Sequence, residues 1–337
     1  MTITPLALGV GTPLLWTVTI IAVVALFVLD FAITRRPHEV SLKEAIGWSV
    51  FYIALPVAFG AWVWLSFGSQ IGLEYYAGYL VEKSLSVDNL FVFMLLLSSF
   101  AVPRELQQRV LLIGVAGALM LRGVFIAAGA AMLANFAWTF LLFGAILLAT
   151  AVKVLRDALH PAEHEVDPGS LRMVRLVRRI FPVTDGYRGP RLSVVENGRR
   201  ALTPLALATV AILTTDVIFA VDSVPAVYGI TGDPYLVFAT NAFALLGLRA
   251  LYFVLEGALG ALVHLGYGLA AILAFIGVKL VLHWAHGIWS WVPVVPTLAS
   301  LGVIVGILAV VIATSLIASR RAAADVSDGI SQQEPRR

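Results

Sequence analysis

Four carboxylates, Glu82, Asp88, Asp216 and Asp222, lie inside otherwise apolar stretches of this 337-residue chain. An ionised group in hydrocarbon costs at least about 2.5–3.5 kcal/mol on insertion scales, so each acid there needs a counter-charge or a function. The acids form two pairs with the same separation of six residues. In each pair the second Asp follows a Val, in Ser86-Val87-Asp88-Asn89 and in Ala220-Val221-Asp222-Ser223. Further oxygen donors stand close in sequence: the amides of Asn89 and Asn241 and the hydroxyls of Ser84, Ser86, Thr214, Thr215 and Ser223. With no Cys and no His in mid-stretch, this hard donor set suits Mg²⁺, Ca²⁺ or Mn²⁺ over Zn²⁺ or Cu⁺. Hardness does not choose among those three ions.

Four bases share the same kind of environment: Lys83, Arg122, Arg249 and Lys279. Lys83, Arg122 and Arg249 read either as structural counter-ions or as locks that occupy the carboxylates when no ion is bound. Lys279 has no assigned role. Desolvation favours the protonated form of a buried acid, so entry of a dication would release protons, and proton antiport is the natural coupling.

The elements that carry these residues are membrane helices. The chain is 60% hydrophobic and 13% charged, against roughly 25% charged in soluble domains. Apolar runs long enough to cross about 30 Å of hydrocarbon predict nine spans, near 13–34, 44–68, 75–101, 110–133, 137–156, 202–229, 236–256, 265–285 and 297–319. The fold class is therefore all-α and polytopic, a single transmembrane domain over 1–321. Residues 157–200 form a cytoplasmic loop, and 322–337 form a disordered tail rich in Ser, Gln, Asp and Pro. All basic residues outside the spans fall on one side if the N-terminus is outside and the C-terminus inside, as the positive-inside rule requires. The net charge of +3 therefore reflects topology and not nucleic-acid binding. The run Arg172, Arg175, Arg178 and Arg179 in the long loop is expected to be solvated and drawn to anionic lipid headgroups.

Spans 3–5 and 6–8 read as an inverted repeat. Their acidic helices run in opposite directions, and Ala118–Ile126 (ALMLRGVFI) is similar to Leu245–Phe253 (LLGLRALYF), with an Arg in each. Inverted repeats with polar residues near the midplane mark secondary transporters, whose site lies between the repeats. Counted from the outer end at about 1.5 Å per residue, antiparallel packing would match Glu82 with Asp222 and Asp88 with Asp216. Six residues on one straight helix put two side chains about 120° apart, so a break near Pro225 and Gly229 is expected to help them converge. An intramembrane aspartyl protease is disfavoured, because neither Asp216 nor Asp222 sits in a Gly-x-Gly-Asp segment; the chain reads as a non-enzyme. A membrane scaffold that assists metal loading of exported proteins, with the long loop as its contact, would leave four buried carboxylates unexplained.

Three segments carry a family resemblance: Tyr79–Phe93 (YLVEKSLSVDNLFVF), Thr214–Ala226 (TTDVIFAVDSVPA) and Asn241–Phe253 (NAFALLGLRALYF). They resemble the signature segments of the TerC/Alx family, named for tellurite resistance, over spans 2 to 9. The resemblance implies a multi-pass protein of the bacterial plasma membrane that exports manganese, Mn²⁺ being substrate and no cofactor being required. It implies Glu82, Asp88, Asn89, Asp216, Asp222, Ser223 and Asn241 as the ion path. The partners are then the divalent cation, the lipid bilayer and possible membrane or exported proteins, with Ca²⁺ as the alternative substrate.

Overall fold

The computed structural model describes residues 9–33, 41–160, 172–196, 198–256 and 264–333. The described chain is built of α1 (Pro13–Ile33), α2 (Leu42–Phe67), α3 (Ser69–Ser99), α4 (Arg104–Asn135), α5 (Thr139–Leu159), α6 (Arg172–Ile180), a hairpin of β1 (Ser193–Glu196) and β2 (Arg199–Leu202), α7 (Pro204–Tyr228), α8 (Pro234–Leu246), α9 (Leu248–Glu256), α10 (Leu265–His286) and α11 (Thr297–Gln333). Polar residues and prolines start the helices. Ser41 accepts from the Glu44 N–H at the head of α2. Asp233, followed by Pro234, accepts from the N–H groups of Tyr235 and Leu236 at the head of α8. Gly68 alone separates α2 from α3 and has φ 93°, a conformation that a Cβ makes costly.

Seven helices, α1, α2, α4, α5, α7, α10 and α11, are long and apolar enough to cross a membrane, and α8 with α9 makes an eighth candidate bent by 43°. The helix α3 has the length, 31 residues, but it carries Glu74, Glu82, Lys83 and Asp88, so composition alone does not mark it as a span. All nine expected spans thus correspond to helices. The architecture is all-α and polytopic, as the sequence indicates.

The packing follows the expected repeat. Exchanging α3, α4 and α5 for α7, α8–α9 and α10 maps the observed neighbours onto one another: α5 lies along α10, α3 against α7, α4 against α8, and α4–α7 corresponds to α3–α8. At the α5–α10 crossing a Cβ added to Gly144 would lie 2.9 Å from the Gly277 carbonyl oxygen, and one added to Gly277 would lie 3.1 Å from that of Gly144. Small residues allow this backbone approach between membrane helices. The reciprocity of the two contacts is the geometry that a two-fold relation imposes.

Two segments read as irregular carry regular structure in their described parts. The 157–200 stretch is not a free loop in its described part. Helix α6 and the β-hairpin dock on the bundle, with Val174 fully buried in a cluster that includes Phe100, Val102, Leu106 and Leu205. The Tyr187 hydroxyl donates to the Phe100 carbonyl at 2.7 Å, which places this segment at the α3–α4 end of the bundle. Residues 161–171 and 197 lie outside the described residues. The tail is helical through Gln333, since α11 runs on past the apolar span, while 334–337 lie outside the described residues.

Candidate functional site

Arg122, near the middle of α4, is fully buried and stands between carboxylates of both repeats. Its Nη1 donates to Glu82 Oε1 of α3 in a tight ion pair. Its Nε and Nη2 donate to Asp216 Oδ2 and Oδ1 of α7 at 3.2 and 3.0 Å. The two-pronged contact uses the planar fork of the guanidinium. Nη1 also reaches Asn241 Oδ1 of α8 at 2.8 Å, and Asn241 Nδ2 closes the ring by donating to Glu82 Oε2 at 3.2 Å. All four side chains are essentially removed from the surface. In such an interior, charges interact far more strongly than in water and are costly when unpaired. Asp222, one and two-thirds turns beyond Asp216, lies within electrostatic range of both Glu82 and Arg122.

The depth match differs from the expected one: Glu82 pairs across with Asp216. The cause is the start of α3. The apolar run suggests residue 75, but the helix begins at Ser69, so Glu82 lies thirteen residues from that end and Asp216 twelve from the Tyr228 end of α7. Asp88 lies away from the Arg122 cluster, toward the end of the bundle where it interacts with Asp157 of α5. The four carboxylates therefore do not converge on one point. Among the described residues no group of three His, Asp or Glu side chains is placed to hold a metal ion. Pro225 does not break α7, which is continuous to Tyr228; it sits in the last turn, where the missing donor and ring clash disturb little. The break falls in the next crossing of the same repeat, at Gly247 between α8 and α9. There Lys83 donates to the Ala244 carbonyl at 3.4 Å.

The remaining predicted donors divide into two groups. Ser84, Thr214 and Thr215 donate to carbonyls four residues back in their own helices, the usual fate of a hydroxyl on a buried helix. Ser86 Oγ, Asn89 Nδ2 and Ser223 Oγ are buried with no hydrogen-bond partner. Buried polar atoms are nearly always satisfied, which sets these three apart from the hydroxyls bonded within their own helices. The three flank Asp88 and Asp222, the two acids that Arg122 does not directly hold.

Arg249 has a different partner from the expected carboxylates. It pairs with Asp30 of α1, through Nε at 3.0 Å and through Nη2, and Nη1 donates to Gln108 of α4 at 3.2 Å. Sequence reasoning passed over Asp30, although it is an acid inside the first predicted span and carries the same signal as the other four. Lys279, left without a role, lines a cavity of about 250 Å³ with Phe140, His283 and Thr297 at the opposite end of the bundle from α6.

A bundle of apolar helices, packed as two matching halves around a buried arginine–carboxylate cluster, defines a polytopic integral membrane protein. The chain belongs to the integral membrane protein TerC family, whose model matches residues 67–323. It is 42% identical to an uncharacterised membrane protein of Myxococcus xanthus over 95% of this chain and 97% of that one. It is 45% identical to an uncharacterised membrane protein of Mycobacterium tuberculosis over 81% of this chain and 69% of the relative. Alx of Escherichia coli, whose name proposes a membrane-bound redox modulator, is 40% identical over 89% of this chain and 93% of its own. No solved structure matches.

Proposed function

We propose that this protein exports a divalent cation, with Mn²⁺ as the substrate, by alternating access between its two repeats. The observation that carries the reading is the position of Arg122: one guanidinium ties Glu82 of the first repeat to Asp216 of the second, with Asn241 completing the ring. A dication entering from the Asp88 side would compete with the guanidinium for these oxygens. Its arrival would free Arg122 and loosen the only charged tie described between the two acidic helices. Glu82, Asp216 and Asp222 outnumber Arg122, so an acid that the guanidinium does not neutralise can hold a proton until a cation takes its place. Asp88, Asn89 and Ser86 on α3 would receive the ion first, and Asp222 and Ser223 would pass it on. Burial of these acids supports proton release on ion entry, hence antiport, with the N-terminus outside in a bacterial inner membrane.

Oxygen chemistry alone suits Ca²⁺ as well; family resemblance supports Mn²⁺. Thiol–disulfide exchange is not available to this chain, which has no cysteine.

The test is metal accumulation. Cells without their own exporters should hold less Mn²⁺ when the chain is expressed, and Asp88→Asn and Asp216→Asn should abolish the effect while still reaching the membrane. Undiminished efflux in both variants removes the proposed path. Lowered Ca²⁺ with unchanged Mn²⁺ replaces the substrate. Cation flux that is equal with and without a pH gradient at clamped voltage removes the antiport.

A further inference from the structure

Helix α6 divides its circumference into three sectors. At about 100° per residue, Met173, Leu176 and Ile180 fall together, Val174 and Val177 occupy the adjoining sector, and Arg175, Arg178 and Arg179 take the rest. The structure assigns each sector a different surrounding. Val174 is fully buried and Val177 packs against the same cluster, which is formed by the ends of α3, α4 and α7. The arginines are exposed. The third sector is apolar and yet exposed: Met173 43%, Leu176 49% and Ile180 62%, continued by Phe181 at 48%.

We propose that α6 lies in the plane of the membrane surface, with Met173, Leu176, Ile180 and Phe181 inserted among lipid acyl chains and its arginines against anionic phospholipid headgroups. A basic helix that is strongly amphipathic yet polar on balance is the form that binds an interface without spanning it. The level is right, because the residues that anchor α6 are the terminal turns of membrane-crossing helices. The charge is right, because residues 172–180 contain four arginines and no acid, and basic residues beside a span are attracted to anionic leaflets. The apolar sector argues against a nucleic acid, which would contact the arginines and leave Leu176 and Ile180 in water. The Val-lined sector holds the helix sideways to the bundle, so the sector next to it turns toward lipid without unpacking anything.

The absence of cysteine makes the test direct. Full-length Leu176→Cys, Ile180→Cys and Arg179→Cys, each spin-labelled at its single thiol, are reconstituted into vesicles of phosphatidylcholine alone or mixed with phosphatidylglycerol. In the mixed vesicles the labels at 176 and 180 should collide with dissolved oxygen more than with a water-soluble nickel chelate, and the label at 179 should show the reverse. Arg178→Gln in the Leu176→Cys background should lower the ratio of lipid-buried to water-exposed label by about fivefold, the effect of one interfacial arginine, and Arg178→Lys should restore it. Labels at 176 and 179 that are equally accessible to water would overturn the insertion. A depth that is the same with and without phosphatidylglycerol would overturn the headgroup recognition. Burial that appears only after soluble protein is added would assign the face to a protein partner and overturn both.

Discussion

Replacing Arg122 with Gln removes the cation that serves both Glu82 and Asp216 at full burial. Breaking a buried pair by deleting one partner costs about 3–5 kcal/mol, because a charge is left uncompensated in a poor solvent. Here two carboxylates lose their partner at once, so the upper part of that range is expected for Arg122→Gln in chemical unfolding of the detergent-purified protein. Adding Glu82→Gln and Asp216→Asn should recover more than half of the loss, since the three amides can hydrogen-bond one another and Asn241 without any net charge. The same pair of measurements addresses transport. If Mn²⁺ competes with the guanidinium, it should stabilise Arg122→Gln by about 2.7 kcal/mol at a hundredfold excess over its Kd, and the parent protein by less. A cost under about 1 kcal/mol for Arg122→Gln, or no recovery on neutralising the acids, would refute the electrostatic account. Equal stabilisation of both proteins by Mn²⁺ would refute competition at this site.

Other expectations follow from particular contacts. Gly144→Ala and Gly277→Ala should each lower the unfolding temperature by forcing α5 and α10 apart, whereas Gly302→Ala, whose Cβ would meet nothing within 4 Å, should leave it unchanged. Asp30→Asn should cost stability through the loss of its charge pair with Arg249, yet Mn²⁺ efflux per folded molecule should persist, because Asp30 lies outside the proposed ion path; abolished efflux in well-folded protein would place α1 in the mechanism. Tyr187→Phe should cost about 1 kcal/mol and speed proteolysis within 172–202. Burial pushes the Tyr187 phenol above its ordinary value, so this contribution is complete at neutral pH. It should fade only as the pH climbs past about 10, where the unfolded chain ionises first; an earlier loss measured by the same proteolysis would contradict that assignment.

The spans, the repeat and the residues of the site were legible because the bilayer penalises charge so heavily that Glu82, Arg122 and Asp216 stand out against their neighbours. Pairing was less legible. Glu74 and Gln70 disguise the first turns of α3, so hydropathy starts that helix late and shifts the acid register by about one and two-thirds turns. The bend at Gly247 escaped notice because a glycine between two leucines carries no polarity signal, while Pro225 drew attention and proved harmless at a helix end. Helix α6 and the hairpin hide in a charged stretch whose packing depends on a few valines at helical spacing. Which acid Arg249 would choose depended on how α1 docks, and nothing local to Arg249 encodes that.

That docking has a geometric consequence. The backbone N–H of Val10 donates to Asp233 at 2.5 Å and Thr19 meets the Tyr235 hydroxyl at 2.7 Å, both at the α8 end of the crossing, while Asp30 holds Arg249 on α9. One straight rod is thus fastened on either side of the elbow at Gly247. Its fastening points, Thr19 and Asp30, are set about 16 Å apart by helical rise. A joint with a strut across it keeps its angle for as long as both ends stay pinned, so the angle between the two halves of that crossing is triangulated by the N-terminal helix and does not rest on the glycine.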